Sequence, residues 1–477
     1  MLFNSTTYFI FLSIVFCLYW WVGSKSLKWQ NALLLVASYF FYGWWSWKFL
    51  FLLFGGSLMD YLLGFGVGSS QKNKAKLFLW ISVAANLSIL GLFKYYNFFA
   101  LEWQVGLDYL GVHAQPKLLE IALPLGISFY TFHHLSYLID IYRGQRKPVT
   151  SFIDYGVFVS FFPLLIAGPI ERANHLLPQI QSPRTFQYSQ AVEGCQLILW
   201  GLFKKVVIAD SIASIIDPLY LSYPYESGFT MLICVIGFSF QIYCDFSGYS
   251  DIAIGSGKLL GFDVLQNFNR PFLSQNLTEF WRRWHISLSS WLNDYLFSPL
   301  WLAWRHKGRL GVVAALFITF FISGLWHGAG WAFIVFGCLH GLAVIAEVLT
   351  RRSRKAWRQW IPGAIYKVLG MVFTFGFATF AWIFFRAHTM EAALGIISKI
   401  LLGLFKGTSA FEIYYWSGKV LPFVFLMLLL DWLISGKETR LSFPMKKLPR
   451  YAVYSLLFIS IYLCFEQGHT QFIYFQF

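Results

Sequence analysis

Charge is what this sequence has least of. Only 12% of its 477 residues are Asp, Glu, Lys or Arg, against 57% hydrophobic and 21% aromatic, where an average soluble domain carries roughly 25% charge. Water cannot be the solvent for most of such a surface, so a soluble fold is excluded. Cysteine offers no framework either. The six, Cys17, Cys195, Cys234, Cys244, Cys338 and Cys464, have no CxxC spacing and lie mostly in apolar runs, so they read as small buried residues, without disulfides or zinc. Walker A, Rossmann glycine and GxSxG patterns are all missing, which removes the usual support for ATP-driven transport and serine hydrolysis. No Pro/Ser/Gly linker is long enough to separate one domain from another and no fixed-period repeat is visible. A single membrane domain over residues 1–477 is the simplest organisation.

What is present is apolar sequence in helix-length runs. A helix needs about 20 apolar residues to cross the hydrocarbon layer, and such runs stand at 9–22, 32–47, 49–67, 77–93 and 121–141. Others stand near 152–167, 191–207, 231–243, 310–325, 331–346, 368–385, 421–434 and 451–465. The expected fold class is an all-α polytopic membrane protein with about 11 to 14 transmembrane or re-entrant helices. An outer-membrane barrel would alternate in polarity over segments of about ten residues, and these runs are continuously apolar.

The net charge of +15 comes from 37 basic and 22 acidic residues, and its placement carries the topology. Basic residues collect at Lys25/Lys28, Lys72/Lys74/Lys76, Arg143/Arg146/Lys147, 351–358 and 437–450, which the positive-inside rule assigns to the cytoplasm. The acidic connections 97–120, with Glu102, Asp108 and Glu120, and 217–226 are assigned outside. An outside N-terminus makes the first five spans alternate consistently. The first span lacks a basic n-region and a small-x-small cleavage site, so it is expected to remain as an anchor. No basic cluster lies in a segment able to fold in water, so membrane lipids, not nucleic acid, are the expected surroundings.

From 245 to 331 polar, ionisable and glycine residues enter apolar helix-length sequence, and function is sought there, because such groups at membrane depth face a protein interior or a wet cavity. The segment EFWRRWHISLSSWLNDYL, 279–296, drawn as one helix, puts Trp281, Trp284, His285, Leu288, Trp291, Leu292 and Tyr295 within an arc of about 120°. Arg282, Arg283, Ser287, Ser290, Asn293 and Asp294 occupy the other side. Asn276 and Glu279 have capping-box-like spacing ahead of it. This reads as an amphipathic helix too polar to span, with His285 at the edge of its apolar arc, where a hydrogen-bonded packing histidine is the plainer reading.

SGLWHGAGW, 323–331, sits in a stretch from 310 to 346 without Asp, Glu, Lys or Arg. That is about twice one span, so the chain must break in the middle, and the glycines around His327 mark the break. Histidine is the natural proton acceptor near neutral pH; the alternative is a structural histidine holding the turn. In QIYCDFSGYSD, 241–251, Asp245 and Asp251 flank small and hydroxylic residues and suit either a proton relay or hydrogen-bonding struts. His133 and His134 point about 100° apart on a helix and form no chelate, and no metal site is expected.

FWRRWHISLSSW with His285, followed by SGLWHGAGW with His327, resembles the membrane-bound O-acyltransferases. PLGISFYTFHHLSYLIDIYRG (124–144), FFPLLIAGPIER (161–172), DFSGYSDIAIGSGKLLGF (245–262), NFNRPF (267–272) and the ending QFIYFQF resemble the bacterial branch that includes the alginate O-acetyltransferase membrane subunit and the teichoic acid D-alanylation protein. The resemblance covers nearly the whole chain. It implies helices around a central funnel or tunnel, with a motif-bearing core at about 120–350 and peripheral helices at about 360–477. It implies His327 at the catalytic centre and His285 beside the reaction path. Trp326, Arg282, Arg283, Asp245, Ser247, Asp251 and Asn269 are the expected substrate-binding residues, Arg282 and Arg283 by attracting a phosphorylated or acidic donor.

No tightly bound cofactor is implied; the acyl donor, a thioester of coenzyme A or of a carrier, is a substrate taken from the cytoplasm. The implied activity is passage of an acetyl group across the inner membrane for O-acetylation of an exported cell-surface polysaccharide. A periplasmic acetyltransferase and the polysaccharide export machinery are the implied partners. One departure concerns the segment after Asp294-Tyr295-Leu296: the alginate-type enzymes run into Gly-Gly-Asn, whereas FSPLWL stands here. A lipid or protein acyltransferase of the same family and a transporter without bond chemistry are the competing readings. The second would need neither histidine motif.

Overall fold

A backbone in hydrocarbon must satisfy its own hydrogen bonds, and the helix does so within one segment. In the computed structural model every regular element among the described residues is helical. The described residues are all but 24–25, 114, 167, 388, 405, 407–408, 434–446, 466–471 and 474–477. Lys25, the basic run from Lys437 to Lys446 and most of the QFIYFQF ending lie outside them.

The chain divides into two compact units, residues 1–195 with 253–265, and residues 196–252 with 266–477. The first contains α1 (Thr6–Gly23), α2 (Leu27–Trp45), α3 (Trp47–Val67), α4 (Lys72–Leu90), α5 (Tyr96–Tyr109), α6 (Ile127–Tyr142), α7 (Phe152–Ser160) and α8 (Ala173–Ile180). Helix α9 (Tyr188–Leu202) leads from the first unit into the second. The second continues with α10 (Asp210–Leu221) and α11 (Gly228–Leu259), whose last turns belong to the first unit, then α12 (Leu277–Arg283), α13 (Ile286–Leu292), α14 (Ser298–Trp304), α15 (Arg309–His327) and α16 (Trp331–Leu349). It ends with α17 (Arg351–Trp360), α18 (Gly363–Arg386), α19 (Met390–Gly403), α20 (Ala410–Leu433) and α21 (Lys447–Phe465).

Among the described residues, seven segments are long and apolar enough to cross a membrane: Trp47–Val67, Lys72–Tyr109, Gly228–Leu259, Arg309–His327, Trp331–Leu349, Gly363–Arg386 and Ala410–Leu433. The protein is therefore a multi-pass membrane protein. The 11 to 14 expected include re-entrant and shorter helices, and Thr6–Trp21 and Pro449–Phe465 are shorter apolar helices beside the seven; several other apolar runs fold as shorter pieces. The run at 121–141 spends its first residues in extended chain before α6, and the run at 152–167 gives only the nine residues of α7. Gly126, at φ 71, makes the turn into α6; a side chain there would meet the Leu165 carbonyl oxygen at 2.3 Å.

In the first unit α3, α4, α6 and α7 bury a polar cluster. Asp60 accepts from Asn86 (2.7 Å) and Ser82 and stands 3.2 Å from His134, which bonds the Tyr155 hydroxyl at 2.7 Å. A carboxylate inside a span is admissible because these donors surround it. Elsewhere Trp29 and Trp44, near the two ends of α2, are exposed, as interfacial indoles are.

Candidate active site

Helices α15 and α16 form a hairpin whose closeness is set by glycine. A Cβ on Gly324 would meet the Phe333 carbonyl oxygen at 2.4 Å, and one on Gly337 the Phe320 carbonyl oxygen at 2.4 Å. The turn is Gly328-Ala329-Gly330, the break that the glycines of the sequence require. It leaves His327 as the last residue of α15, buried, with its ring 4.9 Å from that of Trp326, 5.3 Å from Phe385 and 5.7 Å from Phe336.

The other histidine motif departs from expectation. Residues 279–296 are not one helix: the chain leaves α12 at Trp284 and re-enters helix after His285, which takes φ 42 and ψ 54. That left-handed conformation costs about 1–2 kcal/mol for a residue other than glycine. It is held by the extended segment ahead of α12. Ile286 N donates to Asn267 O (2.9 Å), Asn269 N to Arg283 O (2.8 Å), and Ser287 Oγ to Asn267 Oδ1 (3.0 Å). The predicted capping start is present, with Glu279 N donating to Asn276 Oδ1 at 2.9 Å.

The turn drives the His285 side chain fully inside, against Phe246 at 4.7 Å and Trp326 at 5.9 Å between ring centres. The Trp326 indole thus touches both imidazoles. Both ring nitrogens of His285 are buried with no hydrogen-bond partner among the described residues. Each such group costs about 1–3 kcal/mol, which a packing histidine would avoid. Burial pushes the imidazole down, to about 3, so it is neutral at pH 7.

Beneath His285, α11 supplies Asp245, Ser247 and Asp251, and sequence reasoning missed their partners. Lys204 and Lys205, in the π-helical turn Phe203–Ala209, are fully buried. Lys204 Nζ lies 2.6 Å from Asp251 and donates to Ser247 Oγ at 2.9 Å; Lys205 Nζ lies 2.7 Å from both Asp210 and Asp245. Ile473 N donates to the other Asp245 oxygen at 2.7 Å. Two carboxylates in an apolar helix demand cations, and the adjacent lysines inside the run 191–207 were the available signal.

Of the remaining expected residues, Arg283 is paired with Glu279 at 2.6 Å. Asn269 is exposed and reaches the motif through its backbone, while Asn267 provides the buried amide. Arg282 lines a cavity of about 490 Å³ that extends past Trp281 and Ile286 to Thr319 and Ser323 on α15. Ser323 is one turn before His327, on the same face of the helix. Another buried histidine, His340 on α16, was also missed; it accepts from Trp281 Nε1 at 3.2 Å and stacks on Phe280. Its signal was a lone imidazole in a charge-free span.

The sequence profile of the membrane-bound O-acyltransferase family matches residues 71–387, more than half of the chain. The chain belongs to that family. As a membrane-bound O-acyltransferase it has relatives along most of its length. It is 39% identical over 397 residues to a probable alginate O-acetylase of Pseudomonas putida, covering 82% of this chain and 79% of that one. It is 36% identical over 434 residues to the peptidoglycan O-acetyltransferase of Helicobacter pylori, covering 85% and 80%. A teichoic acid D-alanyltransferase of Bacillus subtilis is 29% identical over 269 residues, 55% of this chain and 68% of that one. The protein is an O-acyltransferase of this family, and the histidine motifs lie within the matched region.

Proposed function

We propose that this O-acyltransferase moves an acetyl group from a cytoplasmic thioester to a hydroxyl of an exported cell-surface glycan, with His327 as general base and His285 beside the reacting groups. The observation that carries the reading is that both imidazoles flank one indole, Trp326, and that neither buried ring nitrogen of His285 has a hydrogen-bond partner among the described residues. His327 takes the proton of the acceptor hydroxyl as its oxygen attacks the thioester carbonyl. The tetrahedral intermediate collapses with expulsion of the thiolate, and the imidazolium returns the proton to sulfur. His285, neutral, offers an N–H to the developing oxyanion or to the donor. Trp326 and the glycine turn narrow the meeting place. Arg282 attracts the donor into the cavity beside α15; Arg283, already paired, orients α12. Asp245, Ser247 and Asp251 hold α11 under His285 through Lys204 and Lys205, and Asn269 assists by its backbone.

The glycan acceptor is supported by two relatives, which are named for alginate and peptidoglycan O-acetylation. The reading includes residence in the bacterial inner membrane, and work with a periplasmic acetyltransferase and an export apparatus. The test is transfer from labelled acetyl donor in membranes of cells expressing the protein with its neighbouring genes, comparing wild type with His327→Ala at equal abundance. Label should reach surface polysaccharide only with His327 intact. Equal transfer by the variant overturns the assignment.

A further inference from the structure

A second cavity in the same unit, of about 460 Å³, shares Thr278 and Arg282 with the first but faces α17. Five cations line it, Arg282, Arg351, Arg354, Lys355 and Arg358, with one carboxylate, Glu347. That carboxylate is taken up in holding α12, accepting from Leu277 N at 2.7 Å, Thr278 N at 3.0 Å and Thr278 Oγ1 at 2.7 Å. Among the described residues none of the five cations has an ion-pair partner, and Arg354 Nε is buried without a hydrogen-bond acceptor. Arg282, Arg351, Lys355 and Arg358 are exposed, so water and salt screen their mutual repulsion; what marks the cavity is the surplus of cationic donors round one hollow.

The four cations on α17 share an arc of about 100° on an ideal helix. Trp357 and Trp360, 60% and 86% exposed, lie on another side. Helix α17 joins two spans, α16 and α18, whose adjoining ends expose Val348, Leu349, Ile365, Val368 and Leu369. The cavity therefore opens where indoles and lipid-facing side chains meet water, the level of phospholipid headgroups. Its basic loop belongs on the anionic cytoplasmic surface.

We propose that this cavity, which neither His285 nor His327 lines, is a binding site for the phosphodiester headgroup of an anionic phospholipid. The arginine forks hold the phosphate oxygens, as guanidinium groups do, and the acyl chains lie along the exposed ends of α16 and α18.

The test uses the full chain purified in mild detergent, with phosphatidylglycerol, phosphatidylcholine and inorganic phosphate as probes. Retained lipid is read by mass spectrometry and unfolding by thermal shift. Phosphatidylglycerol should be retained and should raise the unfolding temperature, and the other two should not. Each of Arg351→Gln, Arg354→Gln and Arg358→Gln should lower retention about fivefold, and Arg351→Lys with Arg358→Lys should retain more than the glutamine variants. His327→Ala should keep the lipid, so failure of the catalytic reading leaves this one standing. Equal retention of phosphatidylcholine, or undiminished retention by the glutamine variants, overturns the proposal. So does a shift by inorganic phosphate without one by lipid, which would indicate a site for a soluble phosphorylated ligand.

Discussion

His285 combines a left-handed backbone, full burial and two ring nitrogens with no hydrogen-bond partner among the described residues, each unfavourable to folding. His285→Phe keeps a flat ring and removes the unsatisfied nitrogens, so its unfolding temperature should not fall below that of wild type while acetyl transfer is lost. The pH dependence supplies a second readout. In the folded chain His285 is held neutral to about 3, whereas unfolded histidine gains a proton near its ordinary value of about 6.5. The unfolded state therefore binds more protons below that value, and stability drains as pH falls from about 6.5 toward 3. His285→Phe should show a shallower decline across that window in thermal unfolding. The left-handed turn itself was not legible: no proline or glycine marks it, and the apolar spacing runs on through it. It is imposed from a distance by Asn267, whose backbone and side chain take the donors of Ile286 and Ser287.

At the level of elements, the α15–α16 hairpin was legible because a charge-free run twice the length of a span must break, and the break falls at its glycines. Gly324→Ala should separate the helices, since its Cβ would stand 2.4 Å from the Phe333 carbonyl oxygen, and should lower both unfolding temperature and transfer. Gly330→Ala should be tolerated in both assays, because its backbone is extended and its nearest neighbour would be 3.7 Å away. The α11 ion pairs permit a sharper comparison. Lys204→Met takes from Asp251 the cation 2.6 Å away and should cost about 3–5 kcal/mol, whereas Lys204→Met with Asp251→Leu should recover most of it, as read by denaturant unfolding. These pairs escaped sequence reading because partners about 40 residues apart carry no local period, and two lysines inside an apolar run resemble a span boundary.

For the whole molecule, composition alone established a multi-pass helical membrane protein, and the profile match over 71–387 agrees with the two histidine motifs. The number of spans was not legible, since hydropathy cannot tell a full crossing from a short buried helix packed on protein. Topology is open to a direct check within the first unit. Asp108→Cys, at the end of the continuous segment Lys72–Tyr109, should react with an impermeant maleimide in intact cells. Lys74→Cys, at its start, should react only after lysis; the reverse pattern would invert the assigned orientation.

Arg282 belongs to the walls of both cavities, and its guanidinium carries a single positive charge. An anion gripping it from the α17 side withdraws it from a ligand on the α15 side. Occupancies of the two cavities are then linked with negative sign, and by equal free energy in each direction. With the proposed lipid in one cavity and the proposed donor in the other, leaflet composition becomes an effector: as bilayer charge falls, apparent affinity for an anionic donor rises, with no contact at either histidine altered.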